Sequence, residues 1–395
     1  MGGTGQFPET AFTYRYMTCR LLSLALSQES QGGRHNKVRE VEMYSSRIAV
    51  AALALISIAS ASATDPVLLA SRRGGWIEAI DLETLKTVSR IRVPEMTESV
   101  ASDPQGQRLF LTAPTPDHPK RCCALFALDP QSLQLTLLVQ PSLSATVTPS
   151  GVFTQRGNVG IEAFDLLTLK RLPTINAPGV YRLRASSDGS RLLGLSNFPH
   201  PSLDLFDAVQ GSLTASQPLP DGSMSAGAWL DHQFFLFTLQ SGQAMLRTIS
   251  PSNGQAGPVV PMSVSSPFPD CPQAPYDMIA SAAKLIIYPR FGGKGDSSCQ
   301  CQGGFAIADP GTSVVSDHFD SNRFAQIVAS PDGRYLYGLD VGKPAWRRVQ
   351  LLKMDATGSV TGQRDLDPDV WSLTGGRIPQ QLQGQMDLSA SAAKR

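Results

Sequence analysis

The strongest constraint in this chain is a phrase that recurs about seven times between residues 67 and 379: a short β-type stretch, a Pro/Asp/Gly turn, a second stretch, then an apolar strand closed by Asp. Val328-Ala329-Ser330-Pro331-Asp332-Gly333-Arg334-Tyr335-Leu336-Tyr337 shares its grammar with Val100-Ala101-Ser102-Asp103-Pro104-Gln105-Gly106-Gln107-Arg108-Leu109-Phe110 and with Arg184-Ala185-Ser186-Ser187-Asp188-Gly189-Ser190-Arg191-Leu192-Leu193. The closing Asp stands at Asp81, Asp129, Asp165, Asp207, Asp309 and Asp355, with Ser250 in its place in one copy. From Asp81 to Asp355 the spacing averages about 46 residues, close to the ~40–50 residues that four short strands and their turns occupy.

Alternation of apolar and polar residues, cut by Gly, Pro, Asp and Ser, marks short antiparallel strands. A four-stranded sheet of this kind cannot bury both faces by itself, and stacking such sheets around an axis leaves only short, protected edges. The expected fold is therefore all-β: a seven-bladed β-propeller of four-stranded antiparallel blades. Strands crowded near the axis need small residues, and Ala101, Ala145, Ala185, Ala228, Ala280 and Ala329 fall at the inner-strand positions. The first unit starts at Val67 without an inner strand, and the repeat region ends on an unpartnered stretch at residues 370–379. The C-terminal stretch is expected to complete blade one and close the ring.

Outside the repeats, residues 43–63 read as a secretory signal. Arg47 supplies the positive start, residues 48–58 are apolar, and Ala61-Ser62-Ala63 is a small-residue cleavage site before Thr64. The apolar run is too short for a comfortable membrane span. The expected organisation is a leader at 1–42 that is not native or lacks order, with translation starting at Met43, a signal at 43–63, the propeller at 64–380 and a flexible tail at 381–395. With the six basic and four acidic residues of the first 63 set aside, the net charge is about −1. No general positive field exists to hold nucleic acid, so none is expected as a partner.

An exported chain meets an oxidising compartment, where cysteines form disulfides. Cys122, Cys123, Cys271, Cys299 and Cys301 all fall in second-to-third or interblade connections, which share one end of a propeller. A bond from Cys271 to Cys299 or Cys301 would staple a Gly-rich loop, and adjacent Cys122 and Cys123 could pair with each other; five thiols leave at least one free or paired between molecules. The same end gathers Arg72, Arg73, Lys120, Arg121, Arg156, Arg290, Lys294, Lys343, Arg347 and Arg348 against Asp117 and Asp296, which fits either an anion-attracting rim or loop charges that keep strands soluble, offset by interblade acids such as Glu95, Asp270 and Asp320. Aligning the inner strands puts Glu98, Arg182, Asp277 and Gln326 at equivalent positions where each strand begins, around the mouth of the central channel. Such a ring could bind a small polar ligand, support acid/base hydrolysis, or act as a hydrogen-bonded plug between blades. No metal site or cofactor is expected, because the Cys and His spacings match no ligand set. The chain has no Gly-x-Ser-x-Gly elbow and no paired-histidine zinc motif.

The stretch Ser330 to Tyr337 and phrases such as Ile80-Asp81-Leu82-Glu83-Thr84-Leu85-Lys86-Thr87-Val88 resemble the YVTN-type seven-bladed propellers, a group that includes lactonase-like and amine-dehydrogenase heavy-chain-like members. The resemblance covers about residues 66–380 and rests on turns and strands, so it implies fold far more than activity. The Gly-His and Trp-Asp pair of WD40 repeats is absent. Two functional classes follow. One is an exported binding or scaffold module gripping a protein partner or a small polar ligand at the cysteine-bearing, basic end; a cofactor-free subunit of a quinoprotein assembly is a narrower form of it. The other is a lactonase-like hydrolase using carboxylates at the channel mouth.

Overall fold

The computed structural model describes residues 64–115, 123–156, 159–196, 200–219, 224–240, 243–262, 276–290, 303–312, 314–318, 322–342 and 348–379. These residues form seven antiparallel sheets. Counting from the axis, the innermost strands of blades one to seven are Val370–Pro379, Ser99–Ser102, Ala145–Thr148, Val180–Ala185, Met224–Leu230, Tyr276–Ser281 and Phe324–Ala329. Each packs against the next, and the seventh returns to the first, so the ring is closed. All six alanines singled out by the repeat sit on these inner strands.

Blade one is composite, as its missing strand requires. Val370–Pro379 pairs antiparallel with Thr64–Arg72, from Thr64 opposite Pro379 to Ser71 opposite Ser372. The buried hydroxyls of Ser71 and Ser372 meet at 2.7 Å across that pair. Across the closing seam, the Tyr337 hydroxyl of blade seven donates to the Leu82 carbonyl of blade one at 2.9 Å, and Lys353 Nζ reaches Glu83 at 2.7 Å.

The core is divided by interface. Among the described residues there are seven clusters of buried apolar side chains, and each joins two neighbouring blades. Leu68, Ile80 and Leu373 of blade one pack with Tyr337, Leu339 and Leu351 of blade seven, while Phe110, Leu125 and Val139 of blade two pack with Val152 and Phe164 of blade three. A blade's hydrophobic faces are thus covered only by its neighbours, the reason the ring stands or falls as a unit.

One blade departs from the regular plan. Blade three keeps three full strands, and its outer edge is reduced to two bridges, Ile161 with Ile175 and Phe164 with Arg171. Pro173 stands between the two bridged residues of this segment, and Pro178 follows it. A proline has no N–H to give to a ladder, which favours isolated bridges over a continuous strand.

The recurring Asp has a defined job: its side chain caps the turn into the outer strand. Asp81 Oδ1 accepts from Thr84 N at 2.7 Å, Asp129 Oδ1 from Gln131 N at 2.8 Å, Asp207 Oδ1 from Gln210 N at 2.8 Å and Asp355 Oδ1 from Thr357 N at 2.8 Å. Burial pushes Asp81 and Asp129 upward, but the donated hydrogen bonds outweigh it and hold both carboxyls below the ordinary range. The Gln210 N–H holds Asp207 down and the Thr357 hydroxyl holds Asp355 down. A carboxyl depressed in the folded state stabilises it above the unfolded pKa of ~3.9, and that contribution is lost as pH falls through the folded value. The melting temperature is therefore expected to drop below about pH 4. Asp207→Asn, which keeps a capping oxygen but cannot titrate, is expected to flatten the drop. An acid profile identical to the native chain would contradict this role.

The same turns place Leu85, Leu133 and Leu169 at φ of 56°, 56° and 57°. Leu85 is buried between blades one and seven, whereas Leu133 is 53% exposed. Left-handed backbone costs a side-chain-bearing residue ~1–2 kcal/mol, so Leu133→Gly is expected to raise the melting temperature. Leu85→Gly is expected to lower it, because the lost burial of ~1.5–3 kcal/mol exceeds the relieved strain. Chemical denaturation of the two variants checks the opposite signs.

Candidate functional site

Inner strands begin at the end of the ring that carries the second-to-third and interblade connections, so the channel mouth on that side belongs to the cysteine-bearing end. Arg182 and Gln326 each follow a register shift near the start of their strand, between Val180 and Arg182 and between Phe324 and Gln326. Such bulges re-aim the next side chain. Among the four residues aligned from the sequence, the structure brings Arg182 of blade four towards Asp277 of blade six. Arg182 Nη1 donates to the Tyr276 carbonyl, one residue before Asp277.

Asp277 is itself engaged by a residue that the alignment passed over. Arg184 Nη2 donates to Asp277 Oδ1, Arg184 Nε donates to the Gly227 carbonyl of blade five at 3.0 Å, and Met278 N donates to the same Asp277 oxygen at 2.9 Å. Arg184 thus ties blades four, five and six. Burial pushes the Asp277 carboxyl up, but Arg184, Arg182 and Arg290 prevail and hold it below the carboxylate range. The sequence signal for Arg184 is the strand's period of two, which puts residues 182 and 184 on one face.

The other two aligned residues have separate surroundings. Gln326 Oε1 accepts from Leu373 N at 3.0 Å and links blade seven to the composite blade. Glu98 precedes the inner strand of blade two, and burial pushes its carboxyl up. Further along the channel, a cavity of about 530 Å³ runs between the inner strands of blades three and four, with Thr146, Thr148, Arg184 and Ser186 in its wall.

Several residues of the expected basic rim have acidic partners on other segments of the chain. Arg72 Nε meets Asp369 at 3.0 Å and its Nη2 meets Asp367; Arg348 Nη2 meets Asp365 at 3.2 Å. Arg73 lies over the Trp371 ring at 4.0 Å. Arg156 is drawn to Glu162, a fully buried carboxylate that also holds Arg171. Glu78 is its counterpart in blade one, buried and bonded to Arg364 at 2.7 Å. The shared phrase Ile-Glu-Ala, ending two residues before the capping Asp, carried this signal at Ile77 and Ile161. Arg290 is exposed at the mouth side of blade six. Lys120, Arg121, Lys294, Lys343 and Arg347 lie outside the described residues.

Cys122, Cys271, Cys299 and Cys301 also lie outside them. Cys123 is buried, with φ of 78°, and is disulfide-bonded. No group of three or more His, Cys, Asp and Glu side chains that could hold a metal ion occurs among the described residues.

No family model matches the chain, and no curated protein sequence matches it. Solved structures do. A chain of a mitotic checkpoint complex is similar at 14% identity with a TM-score of 0.52, over 71% of this chain and 82% of that one. The dihydro-heme d1 dehydrogenase NirN is similar at 17% identity with a TM-score of 0.48, over 76% of this chain, which spans 64% of that chain's length. BamB from Moraxella catarrhalis is similar at 14% identity with a TM-score of 0.47, over 76% and 86%. At these identities likeness speaks to fold alone, and the checkpoint-complex chain is the comparison that carries it.

Proposed function

We propose that this chain is an exported binding propeller that engages a protein partner through the ring end bearing Cys122, Cys123, Cys271, Cys299 and Cys301. The observation that carries the reading is the condition of the channel mouth. Arg182, Arg184, Asp277 and Gln326 are each bonded across blades, and Asp277 is held as a carboxylate by guanidinium groups. A general base must be poised near the working pH and within reach of a substrate proton. Asp277 is held below that range and engaged by Arg184 and Met278 N, so the mouth favours recognition over turnover. Export rests on the signal pattern at residues 43–63 and on the cysteine content of the repeat region. The YVTN-type resemblance belongs to the same proposal, and so does the domain division at residues 64 and 380. The checkpoint-complex propeller, itself part of an assembly, is a use of this architecture that fits the reading.

One observation favours the hydrolytic alternative. Glu98 is pushed up by burial, as suits a general acid. The experiment that separates the readings is capture of interactors from the native exported fraction by residues 64–395, with identification by mass spectrometry. A protein retained in stoichiometric amount supports the binding module. A solitary chain that turns over simple lactones, and loses turnover in Glu98→Gln, contradicts it.

A further inference from the structure

We propose that the channel mouth between blades four and six binds a small free oxyanion, a carboxylate or phosphate group, on the Arg182 guanidinium. This deepens the binding reading above and rests on it for the choice of ring end. Three guanidinium groups, Arg182, Arg184 and Arg290, act on one carboxylate, Asp277. Arg184 takes that carboxylate and bonds two further N–H groups to the Gly227 carbonyl at 3.0 Å and the Leu183 carbonyl at 3.2 Å. Among the described residues, Arg182 makes a single hydrogen bond, to the Tyr276 carbonyl, and stands 5.9 Å from the Tyr181 ring centroid. It has no carboxylate within ion-pair distance among the described residues.

A guanidinium carries five N–H donors, and holding it partly out of water with only a carbonyl for company is costly. Burial pushes Arg182 below its ordinary value, and the like charges of Arg184 and Arg290 add to that push against the attraction of Asp277. Arg290 follows Pro289, which pairs with Tyr276, so a third cation stands beside the carbonyl that Arg182 grips. The register shift just before Arg182 sets this side chain apart from the regular ladder. A carboxylate or phosphate group supplies the missing negative charge, and two of its oxygens match the guanidinium fork in geometry.

The competing account makes Arg182 a clamp between blades. The two accounts predict opposite stability changes for Arg182→Met. If Arg182 is an anion site, the variant is at least as stable as the native protein in anion-free buffer, since an uncompensated charge has gone. If it is a clamp, the variant melts lower.

The test is calorimetric titration of purified residues 64–395 with citrate and with inorganic phosphate, against chloride at matched ionic strength, alongside melting temperatures. The expected result is saturable binding of at least one oxyanion, weakened about tenfold or more in Arg182→Met, as suits loss of a charge-assisted pair. Binding should also weaken in Arg290→Met, whose exposed site tolerates substitution, and stay unchanged in Arg348→Met, a rim residue paired with Asp365. No binding beyond chloride, equal affinity in Arg182→Met and Arg290→Met, or a destabilised Arg182→Met would each overturn the proposal. Because no partner enters these titrations, their failure leaves the capture experiment standing, and failure of capture leaves them standing.

Discussion

Ending the chain at Asp369 is expected to abolish cooperative folding, although only the terminal ten-residue strand of the described structure and the tail beyond it are removed. Without Val370–Pro379, the strand Thr64–Arg72 loses its inner partner along its whole length. Buried Val370, Leu373 and Ile378 go with it, and they belong to the two core clusters on either side of blade one. Each such side chain contributes ~1.5–3 kcal/mol by burial, and the lost ladder leaves polar backbone unpaired between two blades. Against a net stability of ~5–15 kcal/mol for a whole domain, that loss is decisive. The truncated chain is expected to be recovered aggregated, or to show no sharp thermal transition by circular dichroism. Leu373→Asp, which buries a charge at the same seam, is expected to mimic it. A truncated chain melting within a few degrees of the native one would mean that the ring closes by other contacts.

The second large effect is expected from Gly333→Val in the turn between the first two strands of blade seven. Gly333 has φ of 69°, and a Cβ there would lie 2.8 Å from the backbone nitrogen of Ala282 in blade six. Its counterpart Gly106 repeats the arrangement, with φ of 72° and Arg377 of the closing strand at 2.8 Å. The repeated glycine therefore does two things at once: it allows a left-handed turn, and it lets that turn press against the preceding blade. A valine brings ~1–2 kcal/mol of backbone strain and a clash with main-chain atoms that cannot swing aside, for a total of about 3 kcal/mol or more. Denaturant midpoints measure it; an unchanged midpoint would sink the assignment of both roles.

The fold was legible because its rules are local and repeated. The turn glycines, the capping Asp and the inner-strand alanines recur at one period, and the unpartnered stretch at 370–379 follows from counting strands. The outer edge of blade three is thinner than the repeat suggests because Pro173 interrupts a ladder whose other strands follow the pattern. The site was legible only in outline. Arg182 and Asp277 were brought together by strand alignment, but Arg184 takes the carboxylate, and which of two arginines on one face reaches it depends on a register shift that no residue type announces. Some acidic partners of the rim escape a linear reading for a similar reason. Asp365, Asp367 and Asp369 lie on a separate stretch of chain from Arg72 and Arg348, and ring closure is what brings the first of these arginines within reach of its acids.

Cross-linking mass spectrometry on the captured complex tests most directly whether the cysteine-bearing end is the binding end. Lys120, Lys294 and Lys343 belong to second-to-third connections, whereas Lys86, Lys170 and Lys284 stand at the opposite, turn-bearing end. Cross-links from the partner to the first three lysines are the predicted result. Cross-links confined to Lys86, Lys170 and Lys284 would place the partner on the other face of the ring and contradict the account.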